Sequence, residues 1–168
     1  TLVILITSAG LTEIGQAAGD GEPSVSVSTF VSGVSIPWDV SFTPDGAAII
    51  PQRDNGQIKV RLANGAVNTV TADMSDLNSG SEGGLLGLVV DPDFADNRRF
   101  YTCQATTGSV QVVSWTMNGA YTSATRVKDP LVGGMPWSSG RHSGCRLRFG
   151  YEGYLWIATG DAAIGSTP

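Results

Sequence analysis

Val40-Ser41-Phe42-Thr43-Pro44-Asp45-Gly46-Ala47-Ala48-Ile49-Ile50 decides the fold. The residues on either side of Pro44-Asp45-Gly46 read as two half-buried strands. Proline presets φ for the first corner of a tight turn, and Asp followed by Gly suits the next two. The same order returns in Leu88-Val89-Val90-Asp91-Pro92-Asp93-Phe94, which leads after a short loop into Phe100-Tyr101-Thr102-Cys103. It returns again in Leu147-Arg148-Phe149-Gly150-Tyr151-Glu152-Gly153, which leads into Tyr154-Leu155-Trp156-Ile157-Ala158. The turn positions Pro44, Pro92 and Tyr151 are 48 and 59 residues apart, and recurrence at this spacing points to propeller blades, which run roughly 40–50 residues each.

Further strands fit between these hairpins. Gln57-Ile58-Lys59-Val60-Arg61-Leu62 alternates, with Asp54-Asn55-Gly56 before it and Ala63-Asn64-Gly65 after it as turn signals. Val110 to Trp115 is apolar and rich in β-branched residues, and Asn118-Gly119 follows. No window of about 11 residues keeps a helical period. The expected fold is all-β, with blades of four-stranded antiparallel sheets. Residues 25–168 would make about three of them. A ring needs four or more, so the chain is expected to form the N-terminal blades of a longer propeller.

Of the 168 residues, 41% are hydrophobic, 15% are charged and 22 are glycine. That supports a real core and turn-rich β-structure rather than disorder. A formal net charge of -5 gives a phosphate backbone no electrostatic footing, so no nucleic-acid partner is expected. No apolar run approaches the ~20 residues of a transmembrane span. Residues 1–24 have no initiator Met, open with Leu2-Val3-Ile4-Leu5-Ile6 and drift through Ala17-Ala18 into Gly19-Asp20-Gly21. They are expected to be a leader or the remnant of an export signal, with a plain apolar strand as the alternative. The protein is accordingly expected to be exported, to the periplasm, the cell surface or the medium.

Cys103 and Cys145 are the two cysteines. In an exported chain they are candidates for one disulfide, worth roughly 3–4 kcal/mol by chain entropy. Two buried thiols are the alternative. With one histidine besides, no zinc site is expected.

Three loops concentrate chemistry. Gly80-Ser81-Glu82-Gly83-Gly84 precedes an apolar strand, and its glycines let a backbone approach a ligand while aiming one carboxylate. It lacks the Lys-Ser/Thr of a phosphate loop and otherwise reads as a flexible approach to the strand. Ser138-Ser139-Gly140-Arg141-His142-Ser143-Gly144-Cys145-Arg146-Leu147 holds the one histidine, the natural proton acceptor near neutral pH, with a cation beside it. A lone histidine is more often a hydrogen-bonded structural group. Thr159-Gly160-Asp161-Ala162-Ala163 either faces a channel or caps a strand. Asp91, Asp93, Asp96 and Asn97 look superficially like a calcium loop. Thr102 stands where the chelating Glu belongs, and a turn is expected instead. No nucleophile elbow is present, so a Ser-His hydrolase is a weak reading.

Taken in order, four segments resemble the glucose/sorbosone dehydrogenase family, the soluble quinoproteins that use pyrroloquinoline quinone (PQQ). They are Ile36-Pro37-Trp38-Asp39 running on to Gly46, Glu82 to Leu88 with Asp91-Pro92-Asp93-Phe94, Arg141 to Phe149, and Tyr154 to Ala163. The resemblance implies a six-bladed propeller with the quinone over its channel, an aldose substrate and an external electron acceptor. It also implies that His142 is the general base. Glu82 falls where the family places a polar residue near the sugar, and Arg141 is expected at the same place. The residues gripping PQQ and its calcium are expected beyond Pro168, with no metal ligand in this chain.

Departures qualify this. Arg141 stands where some members carry an aspartate that orients the base, which leaves His142 without an evident carboxylate partner. Cys145 replaces a glycine and suits a branch in which it pairs with Cys103. The competing readings are a non-catalytic propeller binding carbohydrate or protein through its channel face, and a metal-dependent lactonase on a similar propeller.

Overall fold

The structure is a computed structural model that describes residues 4–7, 26–137 and 139–166. The chain divides into two units, Thr1–Val34 and Ser35–Pro168. In the first, β1 (Ile4–Thr7) pairs antiparallel with β2 (Ser26–Thr29). The rest of the expected leader, 1–3 and 8–24, lies outside the described residues.

In the second unit, β3 (Ser41–Phe42), β4 (Ala48–Pro51), β5 (Ile58–Arg61) and β6 (Val67–Val70) form a four-stranded antiparallel sheet in chain order. A second such sheet consists of β7 (Leu85–Val90), β8 (Arg99–Thr106), β9 (Ser109–Met117) and β10 (Ala124–Pro136). The third repeat is a two-stranded hairpin, β11 (Gly144–Phe149) with β12 (Leu155–Thr159). These are the expected four-stranded blades, two of them complete among the described residues.

The turns form as their residues dictate. The Gly46 N–H donates to the Thr43 carbonyl at 3.0 Å, and Gly46 takes a φ of +82°. In the second sheet the reversal swells into one helical turn, α1 (Phe94–Asn97), which buries Phe94. Asp91 organises it: its carboxylate accepts the Asp93 N–H at 2.9 Å, the Asn97 amide at 3.0 Å and the Tyr101 hydroxyl at 2.6 Å. The calcium-like spacing is therefore a turn, its lead carboxylate bonded within the chain.

β7 explains how the parts stack. Leu85 and Leu88 face a cluster with Ile49, Ile58, Val60, Phe100 and Trp115. Leu86 and Val89 face another with Cys103, Val110, Val112, Cys145 and Leu147. A strand covered on both faces is apolar throughout, hence Leu-Leu-Gly-Leu-Val-Val. Asp39 ties the first strands of the three repeats together. Its side chain is 5% exposed and accepts from Arg146 of β11 at 2.8 Å and from the Leu88 N–H of β7 at 3.1 Å.

Candidate functional site

Three loops meet at one end of these strands. The first precedes β7 and is anchored at its base by Asp76, which accepts from Gln104 at 3.0 Å, from Gln111 at 2.7 Å and from Arg126. Burial pushes the Asp76 carboxyl up, but the Arg126 guanidinium pulls it below its ordinary value. The second loop precedes β11 and the third follows β12. Ser139 Oγ accepts the Arg141 N–H at 3.1 Å and donates to the Ala162 carbonyl, joining the second loop to the third.

Glu82 and His142, 60 positions apart, come together here. The His142 N–H donates to Glu82 Oε2 at 2.6 Å, and Ser143 Oγ donates to the Glu82 carbonyl at 3.1 Å. Glu82 thus grips the backbone of the histidine loop. The imidazole itself is held by a residue the sequence reading left undecided. His142 Nδ1 lies 2.7 Å from Asp161 Oδ1, which also accepts the Ala163 N–H at 2.9 Å. The orienting carboxylate missing before His142 is supplied 19 positions after it.

Strand register explains the meeting. Gly144 pairs with Thr159, so residues 142 and 161 continue the β11–β12 ladder just past its open end. Backbone packing is tight there. A Cβ on Gly160 would overlap the His142 carbonyl, so glycine is required where the two loops touch. Four residues that are not glycine hold positive φ at this end: Ser81 at 55°, His142 at 52°, Ala162 at 56° and Ala163 at 53°. Each costs on the order of 1–3 kcal/mol, and such conformations gather where structure serves geometry.

The electrostatics follow from chemistry. The His142 hydrogen bond, then that of the Ala163 N–H, hold the Asp161 carboxyl below its ordinary value. An ionised carboxylate only accepts, so Nδ1 carries the proton. In a neutral imidazole Nε2 then keeps its lone pair and can take a proton from a ligand. The side chains of His142 and Asp161 are 54% and 49% exposed, so the pair is open to a ligand. Arg141, exposed at the same rim, makes no ion pair among the described residues. A proton acceptor and an exposed guanidinium thus stand on the same rim. Beside it an open cleft of ≈ 390 Å³ is lined by Trp38, Asp39, Cys145, Arg146 and Thr159, among others.

Cys103 and Cys145 form a disulfide, their Cα atoms 6.1 Å apart, joining β8 to β11. Among the described residues no three His, Cys, Asp or Glu side chains converge to hold a metal ion. No helix among them is long and apolar enough to cross a membrane.

Comparison with known proteins bears on the family and the fold. The glucose/sorbosone dehydrogenase family profile matches residues 34–168. The chain is 28% identical over 143 residues to the aldose sugar dehydrogenase YliI of Escherichia coli K12, covering 82% of this chain and 38% of that one. The PQQ-bound aldose sugar dehydrogenase of Streptomyces coelicolor superposes with a TM-score of 0.74 at 24% identity, over 82% of this chain and 41% of that one. The soluble aldose sugar dehydrogenase of E. coli in its apo form gives 0.60 at 26%, over 77% and 39%. The chain thus spans less than half the length of each of these relatives.

Proposed function

From its membership of the glucose/sorbosone dehydrogenase family, to which this chain belongs, we propose that it carries the proton-accepting half of a quinone-dependent aldose dehydrogenase site. The observation that carries the reading is the His142–Asp161 pair, which leaves Nε2 open at the meeting point of three loops.

His142 Nε2 takes the proton of the sugar's anomeric hydroxyl, and Asp161 stabilises the imidazolium that forms. Loss of that proton drives electrons toward the anomeric carbon and eases departure of its hydrogen as hydride, leaving the carbonyl of a lactone. When bound, PQQ supplies the two-electron acceptor for that hydride. Glu82 keeps the His142 backbone at a fixed height relative to β7. Arg141 offers a cation to sugar hydroxyls or to a quinone carboxylate. The remaining grip on the quinone and its calcium belongs to the length of the relatives that this chain does not span. Export of the protein and delivery of electrons to an external acceptor complete the reading.

The test is reconstitution of the complete protein with PQQ and calcium, followed by dye reduction with aldoses. Sugar-dependent reduction that requires the quinone supports the proposal. Calcium-dependent quinone uptake without turnover, or no uptake at all, overturns it and leaves a propeller that only binds. Turnover with a divalent metal and no quinone also overturns it, in favour of lactonase chemistry.

A further inference from the structure

β11 delivers His142, yet among the described residues it has one ladder partner, β12. Among the described residues, no strand-to-strand hydrogen bonding joins this hairpin to the second sheet. Four things do: apolar contact between Leu86, Val89, Val110 and Leu147, the Asp39 carboxylate that accepts from both Arg146 and the Leu88 N–H, the loop bonds between Glu82 and His142–Ser143, and the disulfide. Apolar contact is non-directional and lets packed elements slide. Of the loop bonds, the one from the His142 N–H is exposed, where water competes for it, while Ser143 is buried. The disulfide alone is covalent, and both of its cysteines are buried, at 0% and 4% exposure.

Its position is informative. Cys145 lies three residues after His142, so the Cα of the histidine stays within about 11 Å of the bridge. Cys103 lies on the strand paired with β7, and the loop before β7 carries Glu82. At Gly87 of β7 a Cβ would overlap the Cys145 carbonyl, so β11 sits directly on β7 beside the bridge. One covalent bond therefore spans the interface that Glu82 and His142 span through a hydrogen bond.

We infer that Cys103–Cys145 is a positioning disulfide for the proton-accepting histidine, a proposal that rests on the reading of His142 given above. The bond fixes the β11–β12 hairpin against the second sheet and thereby fixes the imidazole relative to Glu82. Without it the hairpin shifts on its apolar face and the base loses its place. Misplacement of a reacting group by about 1 Å costs on the order of a hundredfold in rate.

The experiment compares the complete protein with its Cys103→Ala/Cys145→Ala variant, both loaded with PQQ and calcium. Amide hydrogen exchange is read peptide by peptide, beside steady-state kinetics. In the variant, exchange of residues 139–147 accelerates about tenfold or more, while residues 85–90 and 110–115 keep their protection. Its kcat falls about 10- to 100-fold with KM moving less than about threefold. Should the alanine pair not fold, the volume-restoring Cys103→Val/Cys145→Ser pair and the wild-type protein reduced with a phosphine give the same comparison.

Unchanged exchange at 139–147 together with unchanged kcat overturns the inference. So does faster exchange spread evenly over both sheets, which would make the bridge a general stabiliser. Exchange needs no turnover, so the two readings fail separately. A wild-type protein that does not oxidise sugar, yet loosens at 139–147 without the bridge, refutes the catalytic reading and keeps the mechanical one.

Discussion

Asp161→Asn probes the site with the least change in shape. In the native pair the carboxylate accepts from Nδ1–H at 2.7 Å, which leaves Nε2 as the base. An amide at the same place can turn its NH2 toward Nδ1 only by giving up the Ala163 N–H, which donates to the same oxygen. That choice stabilises the tautomer with the proton on Nε2, which cannot accept another. The amide also lacks the negative charge that steadies the imidazolium. Both effects act on the proton-transfer step, and general-base catalysis contributes about 10²–10⁴-fold. The side chains are half exposed, so water supplies part of what is lost and a drop in kcat near the lower bound, about 10²-fold, is expected. KM stays within about threefold, because the sugar hydroxyls do not contact Asp161 in this scheme. The assay is dye-linked aldose oxidation by the complete, PQQ-loaded protein, with circular dichroism as the check on folding. Turnover within about twofold of wild type refutes the argument that Asp161 sets the histidine's tautomer.

Three further outcomes are expected. Gly160→Ala drives a Cβ into the His142 carbonyl, so turnover should fall at least about tenfold while strand content is kept; unchanged activity would show that the two loops part easily. Trp115→Ala, which empties a fully buried position and removes the indole N–H that donates to the Thr102 hydroxyl, should cost about 3–5 kcal/mol in urea unfolding. Asp45, Asp76 and Asp91 are held below the ordinary carboxylate value in the folded chain: Asp45 first by the Thr43 hydroxyl, Asp76 and Asp91 by Arg126 and Tyr101 against the upward push of burial. Stability from these groups is present above about pH 4 and lost as pH falls through their folded values, so the melting temperature should drop on acidification. Burial and the Asp91 hydrogen bond push the Tyr101 phenol up to about 12, so a second loss is expected as pH rises from 10 to 12; a melting temperature that rises toward either extreme would contradict this.

Much of the architecture is legible because its signals are local. Pro44-Asp45-Gly46 makes its own turn, and Gln57–Leu62 alternates because one face of β5 is buried. The run Leu85–Val90 announces a strand covered on both faces. β10 announces nothing. It is an edge strand with one ladder partner, its side chains mostly exposed, and Pro130, Gly133 and Gly134 interrupt any period. Its pairing with β9 comes from the neighbouring strand, bulges included.

The site divides the same way. His142, Glu82 and Arg141 stand out by residue type and family likeness, and the structure gathers them. Asp161 does not stand out, because its role depends on register. Counting outward from the Gly150–Gly153 turn would set 162 opposite 142, and it is the register shift between Arg146 and Gly144, which no local pattern announces, that brings 161 there. The part played by Glu82 was only half visible. Its carboxylate is engaged by the His142 backbone, a contact across two repeats that no local pattern encodes.

The role of His142 is tested most directly by the turnover of His142→Ala in the complete protein reconstituted with PQQ and calcium. Quinone uptake and folding should be retained while sugar oxidation falls by at least about 10²-fold. Turnover within about tenfold of wild type, with the quinone bound, would mean that the proton leaves by another route and that His142 is not the base.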